Sequence, residues 1–466
     1  MQRPVTKTKR IKRGCRCLAS AICATLMWAD AGAETLNYAQ ALSLSLQRDP
    51  RIAEKNHLVD VAQAQEREVD GNAGLRVDFN SFLGLAPAVR GGLFANADCG
   101  NGVVCTNRTD RYSIAQGVSP WTYAQISIVK PVLTFGKIAH FREAARGQTQ
   151  VKQGDVRLQR AEIAMDVAKA YYGHLAARDA HAFLDDVRKT VANAVDKVDR
   201  WLKEGSGDVA QSDVYALQTG LALVEKYLAQ TRGLEAIGME GLRTLTGLSA
   251  PAELALADAR LQRVALPALD ISALQAQAMD KRPEFGQLDA GLHARRALVA
   301  ANKAGHYPNV YVGVAGMFSY SLRRDRLDNP YITDSFNDYG GTPLVGVQWQ
   351  WQPGVVSAKV AQAEGELNAL IDKAALARQG IPFQVAEAAH QVRAAYEASG
   401  KSEEGARAAR RWMITAYADF DAGLDKPEKV LTALQGYVLA QTDYLQSVFE
   451  YNMAVVKLQQ SVGDYE

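Results

Sequence analysis

Few residues in this chain have the types and spacing that catalysis or metal binding requires. The seven histidines form no His-Glu-x-x-His pattern and no other metal-ligand cluster. His174 and His181 are seven residues apart and share a face if their segment is helical, but two such residues without further ligands are typical of satisfied or solvent-facing side chains. No Gly-x-x-x-x-Gly-Lys-Ser/Thr phosphate loop is present. The sequence therefore predicts that the chain is not an enzyme and has no cofactor and no metal site.

The first 33 residues differ in kind from the rest. Seven Lys and Arg residues precede a mostly apolar stretch at residues 17–28, and Ala31-Gly32-Ala33 supplies a small-residue cleavage pattern. This order predicts a signal peptide at residues 1–33. The alternative of an uncleaved anchor is disfavoured, because a spanning helix needs about 20 apolar residues. Cys23 is a weak lipid-anchor candidate, since Ile22 stands where a small residue is usual.

Removal of the predicted signal changes the charge and the cysteine content. It takes seven of the 53 Lys and Arg and one of the 51 Asp and Glu, which leaves 46 against 50 and a net charge of −4. With basic residues scattered as well, no nucleic-acid partner is predicted. The two remaining cysteines, Cys99 and Cys105, lie in a Gly/Asn-rich loop without histidine. A close pair of this kind in an exported chain predicts a loop-closing disulfide rather than a metal site.

Four segments alternate apolar and polar residues as strands do. The clearest places Val345, Val347, Trp349 and Trp351 opposite small or amide side chains. A soluble sandwich has the same alternation, but strands of about 9–11 residues with Gly, Gln and Ser on one face are typical of a membrane barrel. The tryptophans and Tyr320 near strand ends suit an interfacial belt. The predicted strands cover residues ~76–86, ~121–131, ~309–321 and ~344–352.

The same order of elements occurs twice along the chain. Two pairs of similar positions are 233 residues apart, and a third pair is 222 apart, which fits a longer loop in the first copy. The pairs are Pro50 and Pro283, Val77 and Val310, and Pro131 and Pro353. We therefore expect two repeats, at residues 34–270 and 271–466, each with a helix, two strands, a long helix and a return helix.

The long helices exceed those of ordinary domains. Residues 136–204 contain no proline and as a helix would extend roughly 100 Å. A second long helix is expected at residues 355–422, with an interruption at residues 380–382. The last helix, at residues 428–462, carries two apolar stripes with coiled-coil spacing. One antiparallel coiled coil accounts for one stripe, whereas two stripes indicate neighbours on both sides, as in the wall of a tube.

Three motifs in this order resemble the TolC-like outer-membrane factor (outer membrane efflux protein) family. Ile126-Ser-Ile-Val-Lys-Pro-Val-Leu-Thr-Phe-Gly-Lys137 is similar to the strand-to-helix junction of the family. Arg282-Pro-Glu284, followed by Tyr307-Pro-Asn309, resembles the start of its second repeat. Gly207, followed six residues later by Asp213-Val214, resembles the tip of its helical hairpin. At the second tip the residue six positions after Gly423 is Lys429, where the family expects Asp.

The resemblance implies a mixed fold, with an all-α coiled-coil tunnel and a transmembrane β-barrel. Counting agrees with it, because four strands per chain cannot close a barrel whose smallest examples have eight. A homotrimer that shares one barrel of twelve strands is therefore expected. The implied location is the outer membrane, in contact with its lipid, with the helical part in the periplasm.

The resemblance also implies a function and its partners. The chain is expected to be a subunit of an exit duct for small-molecule efflux, working with a periplasmic adaptor (membrane fusion) protein and an inner-membrane transporter. A one-step (type I) protein secretion duct has the same architecture and remains an alternative. A soluble periplasmic coiled-coil adaptor is a further alternative, although it would lack the set of four strands.

The two helical turns are the expected functional sites. They should lie together at the end farthest from the membrane, with charged rings near the pore opening. The pore-rim candidates are Asp208, Asp213, Asp425 and Lys429. The adaptor-docking candidates are Gly207, Val214, Gly423, Val430 and Leu431. An alternative for Lys429 is a surface ion pair with Glu428 or Asp425.

Overall fold

The computed structural model describes residues 34–89, 117–206, 209–248, 254–325 and 334–464. The predicted signal peptide, the predicted Cys99–Cys105 disulfide, Gly207 and Asp208 lie outside the described residues. The helices are α1 (Tyr38–Arg48), α2 (Pro50–Gly71), α3 (Lys137–Glu204), α4 (Gln211–Thr246), α5 (Ile271–Lys281), α6 (Pro283–Lys303), α7 (Pro353–Asp421) and α8 (Pro427–Val462). The strands are β1 (Glu34–Leu36), β2 (Arg76–Pro87), β3 (Val118–Leu133), β4 (Leu254–Leu256), β5 (Asn309–Ser321) and β6 (Asp338–Gln348).

Two pairs of long helices make up most of the molecule. α3 has 68 residues and α7 has 69, so each is about 100 Å long at 1.5 Å per residue. α3 contains no proline, and glycines with positive φ, Gly136 and Gly205, stand immediately before and after it. α7 and α8 begin with Pro353 and Pro427 at the first helical position, where the missing N–H removes no hydrogen bond. α4 returns along α3, and α8 returns along α7.

α7 is continuous through a proline in its interior. The interruption expected at residues 380–382 is therefore wrong. An interior proline removes one helical hydrogen bond and costs about 3 kcal/mol when nothing compensates. Here Ile381 and Val385 are buried in one apolar cluster with residues of α5 and α8. Gln275 Nε2 of α5 also donates a hydrogen bond to the Pro382 carbonyl at 2.9 Å, so tertiary packing offsets the local cost.

The long strands form one antiparallel sheet in the order β2-β3-β5-β6. β2 and β5 lie close to their expected positions, and β3 extends a few residues further at each end. β6 requires a correction, because it begins at Asp338 and ends at Gln348, ahead of Trp349 and Trp351. Gly340, Gly341 and Pro343 are typical of turns, yet they lie inside this strand. β6 is an edge strand in the single chain, and edge strands tolerate proline and glycine.

Apolar clusters follow the helices along their length. The largest surrounds Tyr171 and Leu175 of α3 and includes residues of α1, α4 and α8. It extends to the short parallel pair β1 and β4, which aligns Glu34 with Leu254. Two further clusters join α3, α4 and α8 towards the helical turns. Each helix in the described part of the chain is too polar or too short to cross a membrane.

Candidate channel wall and helix tips

The four long strands have a common orientation relative to the helices. β2 follows α2 and β5 follows α6, while β3 leads towards α3 and β6 leads towards α7. Because the pairing is antiparallel, all of the strand ends next to these helices lie at one end of the sheet. We call this the helix end and the opposite one the loop end. Every strand can therefore connect a helical layer to a loop layer.

One face of the sheet is apolar and exposed. In an antiparallel sheet, residues that pair directly lie on the same face, so the register places Val77, Ile128, Val314 and Pro343 together. The exposed large side chains of this apolar face include Val77, Phe79, Leu83, Leu85, Ile126, Val312, Val314, Phe318, Tyr320, Tyr339, Val345 and Val347. A patch of this extent is typical of a surface that meets another apolar phase or partner.

The other face is mainly small and polar over the half nearest the helix end. One rung of paired residues there consists of Asp78, Ser127, Ala315 and Thr342. Arg76 Nε lies 3.0 Å from Asp78 Oδ2, so two charges on this polar face neutralise each other. This alternation is the one that the strand patterns predict.

Two of the sequence motifs meet at the helix end of the sheet. Phe135 and Gly136 have φ of 49° and 84°, a left-handed turn that ends the β3 segment and begins α3. The Phe135 ring stacks on Tyr307, which precedes β5, with 5.1 Å between centroids. A Cβ on Gly136 would lie 3.2 Å from His140 Nε2. Glycine is therefore favoured at this position, because it adopts a positive φ without strain and has no side chain to crowd the imidazole. Sequence reasoning did not find this contact, because the residues are far apart in the chain.

The two helical turns lie side by side. Val198 of α3, Val214 and Leu217 of α4, Phe420 of α7 and Val430 of α8 share one buried cluster. The two turns are therefore neighbours within a single chain, as the sequence predicts.

Two of the expected docking residues are buried within the single chain. Val214 and Val430 are 2% and 3% exposed, because they fill the seam between the two hairpins. Leu431 is half-buried and lies near Gly220 of α4. Gly423, with φ of 73°, is exposed in the second turn. Leu424, which sequence reasoning did not select, is the most exposed large apolar side chain of that turn.

Residues 274–464 match the family model described as Outer membrane efflux protein. This part of the chain is thus similar to that family. No curated protein sequence matches the chain significantly. The resemblance to outer-membrane factors that the motifs predict is thereby confirmed for the second half.

Solved channel structures resemble this chain over nearly its whole length. CmeC, an outer membrane channel of Campylobacter jejuni, gives a TM-score of 0.74 at 13% identity, covering 94% of this chain and 87% of that one. The outer membrane protein VceC of Vibrio cholerae gives 0.71 at 14% identity, with 91% and 96% covered. The MtrE channel of Neisseria gonorrhoeae gives 0.68 at 16% identity, with 92% and 89% covered. At these identities the likeness establishes the fold.

Charged residues at the helical tips make local pairs. Lys429 Nζ lies 2.5 Å from Asp425 Oδ1, one helical turn away, and its side chain is otherwise exposed. Asp213 Oδ2 accepts a hydrogen bond from the Ala210 N–H at 2.8 Å, which caps the start of α4. The Asp425 pairing is the alternative left open for Lys429.

Sequence reasoning missed an ion pair between the two hairpins. Lys197 Nζ of α3 lies 2.5 Å from Asp421 Oδ1 at the end of α7. The same ammonium lies 4.9 Å from the Trp201 ring centroid and 5.8 Å from that of Phe420. Lys197 and Trp201 are four residues apart on one helix, so their contact could be predicted from sequence. The pair with Asp421 could not, because the two residues are 224 positions apart in the chain.

The titratable groups of the helical region have structural partners. His174 Nδ1 lies 2.9 Å from the Glu235 carbonyl, and His181 Nδ1 lies 3.2 Å from the Glu235 carboxylate, so both histidines connect α3 to α4. Burial raises the pKa of Tyr38 to about 12. Tyr171 donates a hydrogen bond to Asp258 at 2.7 Å, and burial followed by this contact raises its pKa. Within the described residues, no cluster of His, Cys, Asp and Glu has the arrangement of a metal site.

Proposed function

We propose that three copies of this chain join their sheets into one twelve-stranded barrel in the outer membrane. The observation that most supports this assembly is the apolar face, on which all four strands of a single sheet expose large side chains. Contact with water is unfavourable for such a patch, and contact with lipid removes that cost. Four strands are fewer than the eight of the smallest membrane barrels, and three equal shares give twelve.

The helices would continue this barrel as a tunnel through the periplasm. At about 100 Å, α3 and α7 are long enough for such a wall. We also propose that residues 34–270 and 271–466 are two repeats. In support, the order strand, strand, long helix, return helix occurs once as β2-β3-α3-α4 and again as β5-β6-α7-α8.

The transported material is proposed to be small molecules that an inner-membrane transporter delivers through a periplasmic adaptor. Efflux is favoured over one-step protein secretion because the matched family model is that of efflux proteins. The adaptor would meet the exposed tip residues, foremost Gly423, Leu424 and the partly buried Leu431.

Assembly and barrel formation are tested together with two arginine substitutions on the same strand. Leu83→Arg places a charge on the apolar face, which near the bilayer midplane costs about 2–4 kcal/mol. Asn80→Arg places the same charge on the polar face and serves as the control. We expect the wild type and Asn80→Arg to be trimers by light scattering in detergent and to conduct ions in planar bilayers, whereas Leu83→Arg fails to assemble. A monomeric wild type, or an unaffected Leu83→Arg, would contradict the proposal.

The pore rim is proposed to include Asp213, Asp425 and Lys429, with Asp208 as a further candidate. Rings of charge set ion preference, so a rim that carries both Asp and Lys should be less cation-selective than an acidic one. Lys429→Asp removes the ion pair with Asp425 and adds negative charge. We expect its reversal potential in a salt gradient to shift towards cation selectivity. An unchanged reversal potential would place Lys429 outside the pore.

A further inference from the structure

The polar face of the sheet becomes aromatic towards the loop end. One rung of this face consists of Phe82, Tyr123, Ser319 and Asp338, and the next contains Trp121. Phe336, which precedes β6, lies against Trp121 with 5.2 Å between ring centroids. We call Phe82, Trp121, Tyr123 and Phe336 the aromatic collar.

The collar is held in a defined geometry. Phe82 stacks on Tyr123 at 4.7 Å and 22°, and meets the edge of Trp121 at 5.4 Å. Trp121 Nε1 donates a hydrogen bond to Ser319 Oγ at 2.7 Å. Gly84 lies beneath the indole, and a Cβ there would be 3.1 Å from the ring. The indole orientation is therefore fixed by a hydrogen bond, by neighbouring rings and by the lack of a side chain below it.

A buried arginine supports the collar from the loop end. Arg324 pairs with Asp334 at 2.8 Å, and both side chains are buried. The Arg324 guanidinium lies 5.0 Å from the Phe336 ring centroid and donates a hydrogen bond to the Pro87 carbonyl at 2.8 Å. Arg324 therefore joins the end of β2 to the segment that precedes β6 and contains Phe336.

The collar is nevertheless accessible. The Phe82 side chain is 49% exposed although its ring packs against Trp121 and Tyr123. Among the described strand residues on the polar face, the charged ones are Arg76 and Asp78, which pair with each other at the helix end, and Asp338. Asp338 lies at the far end of the rung that begins with Phe82 and Tyr123, where it pairs with Ser319, and it supplies a negative charge to the same face.

We infer that the aromatic collar is a binding site for planar aromatic cations at the outer exit of the pore. The inference rests on the proposed barrel, in which the polar face lines the lumen and three copies contribute twelve rings. Aromatic faces attract cations and stack on flat ring systems, and a nearby carboxylate adds to the attraction. A transported molecule of this class would bind at the collar immediately before release.

The test uses ethidium, a planar aromatic cation, with trimers in detergent and in planar bilayers. Phe82→Ala removes the exposed ring. Phe79→Ala removes an equally large ring from the apolar face of the same strand and is the matched control. We expect Phe82→Ala to weaken ethidium binding, followed by fluorescence polarisation, by roughly tenfold, which corresponds to about 1.4 kcal/mol. Block of the pore by ethidium from the loop side should weaken equally, and Asp338→Asn should weaken both by a smaller factor.

The outcomes separate this inference from the proposed function. If the wild type forms conducting trimers but Phe82→Ala and Phe79→Ala bind ethidium alike, the collar site is wrong and the channel stands. If the wild type forms no conducting trimer, the proposed barrel itself fails. Gly84→Ala, which displaces the indole without removing a ring, should also weaken binding. Tetramethylammonium, a cation without rings, is attracted by the aromatic faces but cannot stack on them, so Phe82→Ala should weaken its block by a smaller factor than the block by ethidium. An equal factor for the two cations would contradict the preference for planar aromatic cations.

Discussion

The two longest helices, α3 and α7, are nearly equal in length and differ in how the single chain covers them. α3 has twenty buried residues, whereas α7 has eleven. α3 packs against α2, α4, α6 and α8, while α7 packs mainly against α5, α6 and α8. The large apolar side chains that α7 leaves exposed include Leu376, Phe383, Trp412 and Ile414.

This difference in burial indicates that α3 contributes mainly to the stability of the single chain, whereas the exposed side chains of α7 are available for contacts between chains. α3 completes its apolar contacts inside one copy, so its packing belongs to the fold. Leu376 and Phe383 are seven residues apart on α7, the spacing of a coiled-coil seam, and are 70% and 67% exposed. A second copy of the chain is the partner that the proposed trimer would bring to this seam.

Ile163→Ala, in the buried part of α3, should have the largest effect on the fold. Truncation of a fully buried isoleucine costs about 2–5 kcal/mol through lost burial and the cavity left behind. Guanidinium titration of the helical circular dichroism signal measures the free energy of unfolding. Leu376→Ala on α7 is the control and should change it little in the dissociated chain. Equal losses for both would abolish the distinction between the helices.

Phe383→Asp should act on assembly and leave the single chain folded. A carboxylate buried in a subunit seam without a partner costs several kcal/mol, so we expect loss of the trimer by light scattering, with helical content retained. Phe383→Leu keeps an apolar side chain at the same position and should remain trimeric. A trimeric Phe383→Asp variant would show that another surface of α7 meets the neighbour.

Asp49, the N-cap of α2, contributes to stability in a pH-dependent way. Burial alone would raise its pKa, but hydrogen bonds from Arg51 outweigh that effect and lower it, and Arg51 also pairs with Asp166 of α3 at 2.7 Å. The stabilisation is complete above the usual carboxyl pKa of about 4 and is lost as the pH falls through the lower value in the folded protein. Asp49→Asn keeps the N-cap of α2 and should cost about 1 kcal/mol at pH 7. Its unfolding free energy should also vary less between pH 7 and pH 3 than that of the wild type, and an unchanged pH dependence would exclude Asp49 as the titrating group.

The smallest effect is expected where α3 and α7 touch directly, at Lys197 and Asp421. The pair is partly exposed, and such pairs contribute about 0.2–1 kcal/mol. A double-mutant cycle with Lys197→Met and Asp421→Asn isolates the interaction energy from the ring contacts of Lys197. A coupling energy of several kcal/mol would mean that the two helices depend on each other at the tips more than their burial suggests.

The elements with strong local signals were predictable from sequence. The α3 boundaries follow from a long segment without proline between two glycines, and β2 and β5 follow from strict alternation. The start of β6 was not predictable, because Gly340, Gly341 and Pro343 have turn character and only the neighbouring strand holds them extended.

The features of the site that sequence reasoning missed depend on tertiary contacts. Val214 and Val430 have apolar side chains near helix ends, a pattern that suits docking and burial equally. Their burial depends on two hairpins meeting, which no local pattern reports. The aromatic collar likewise combines Phe82, Trp121 and Phe336 from three segments.

The open edges of the four-stranded sheet have a consequence for biogenesis. Within the described part of the chain, β2 and β6 each pair on one side only. An unpaired strand edge is a template for any other extended chain, and here it lies beside an exposed apolar face. If copies assemble as proposed, each one must be shielded until it pairs with other copies, and copies delivered faster than they assemble would aggregate. The abundance of the proposed trimer would then be limited by the rate at which copies find one another, whatever the stability of the finished trimer.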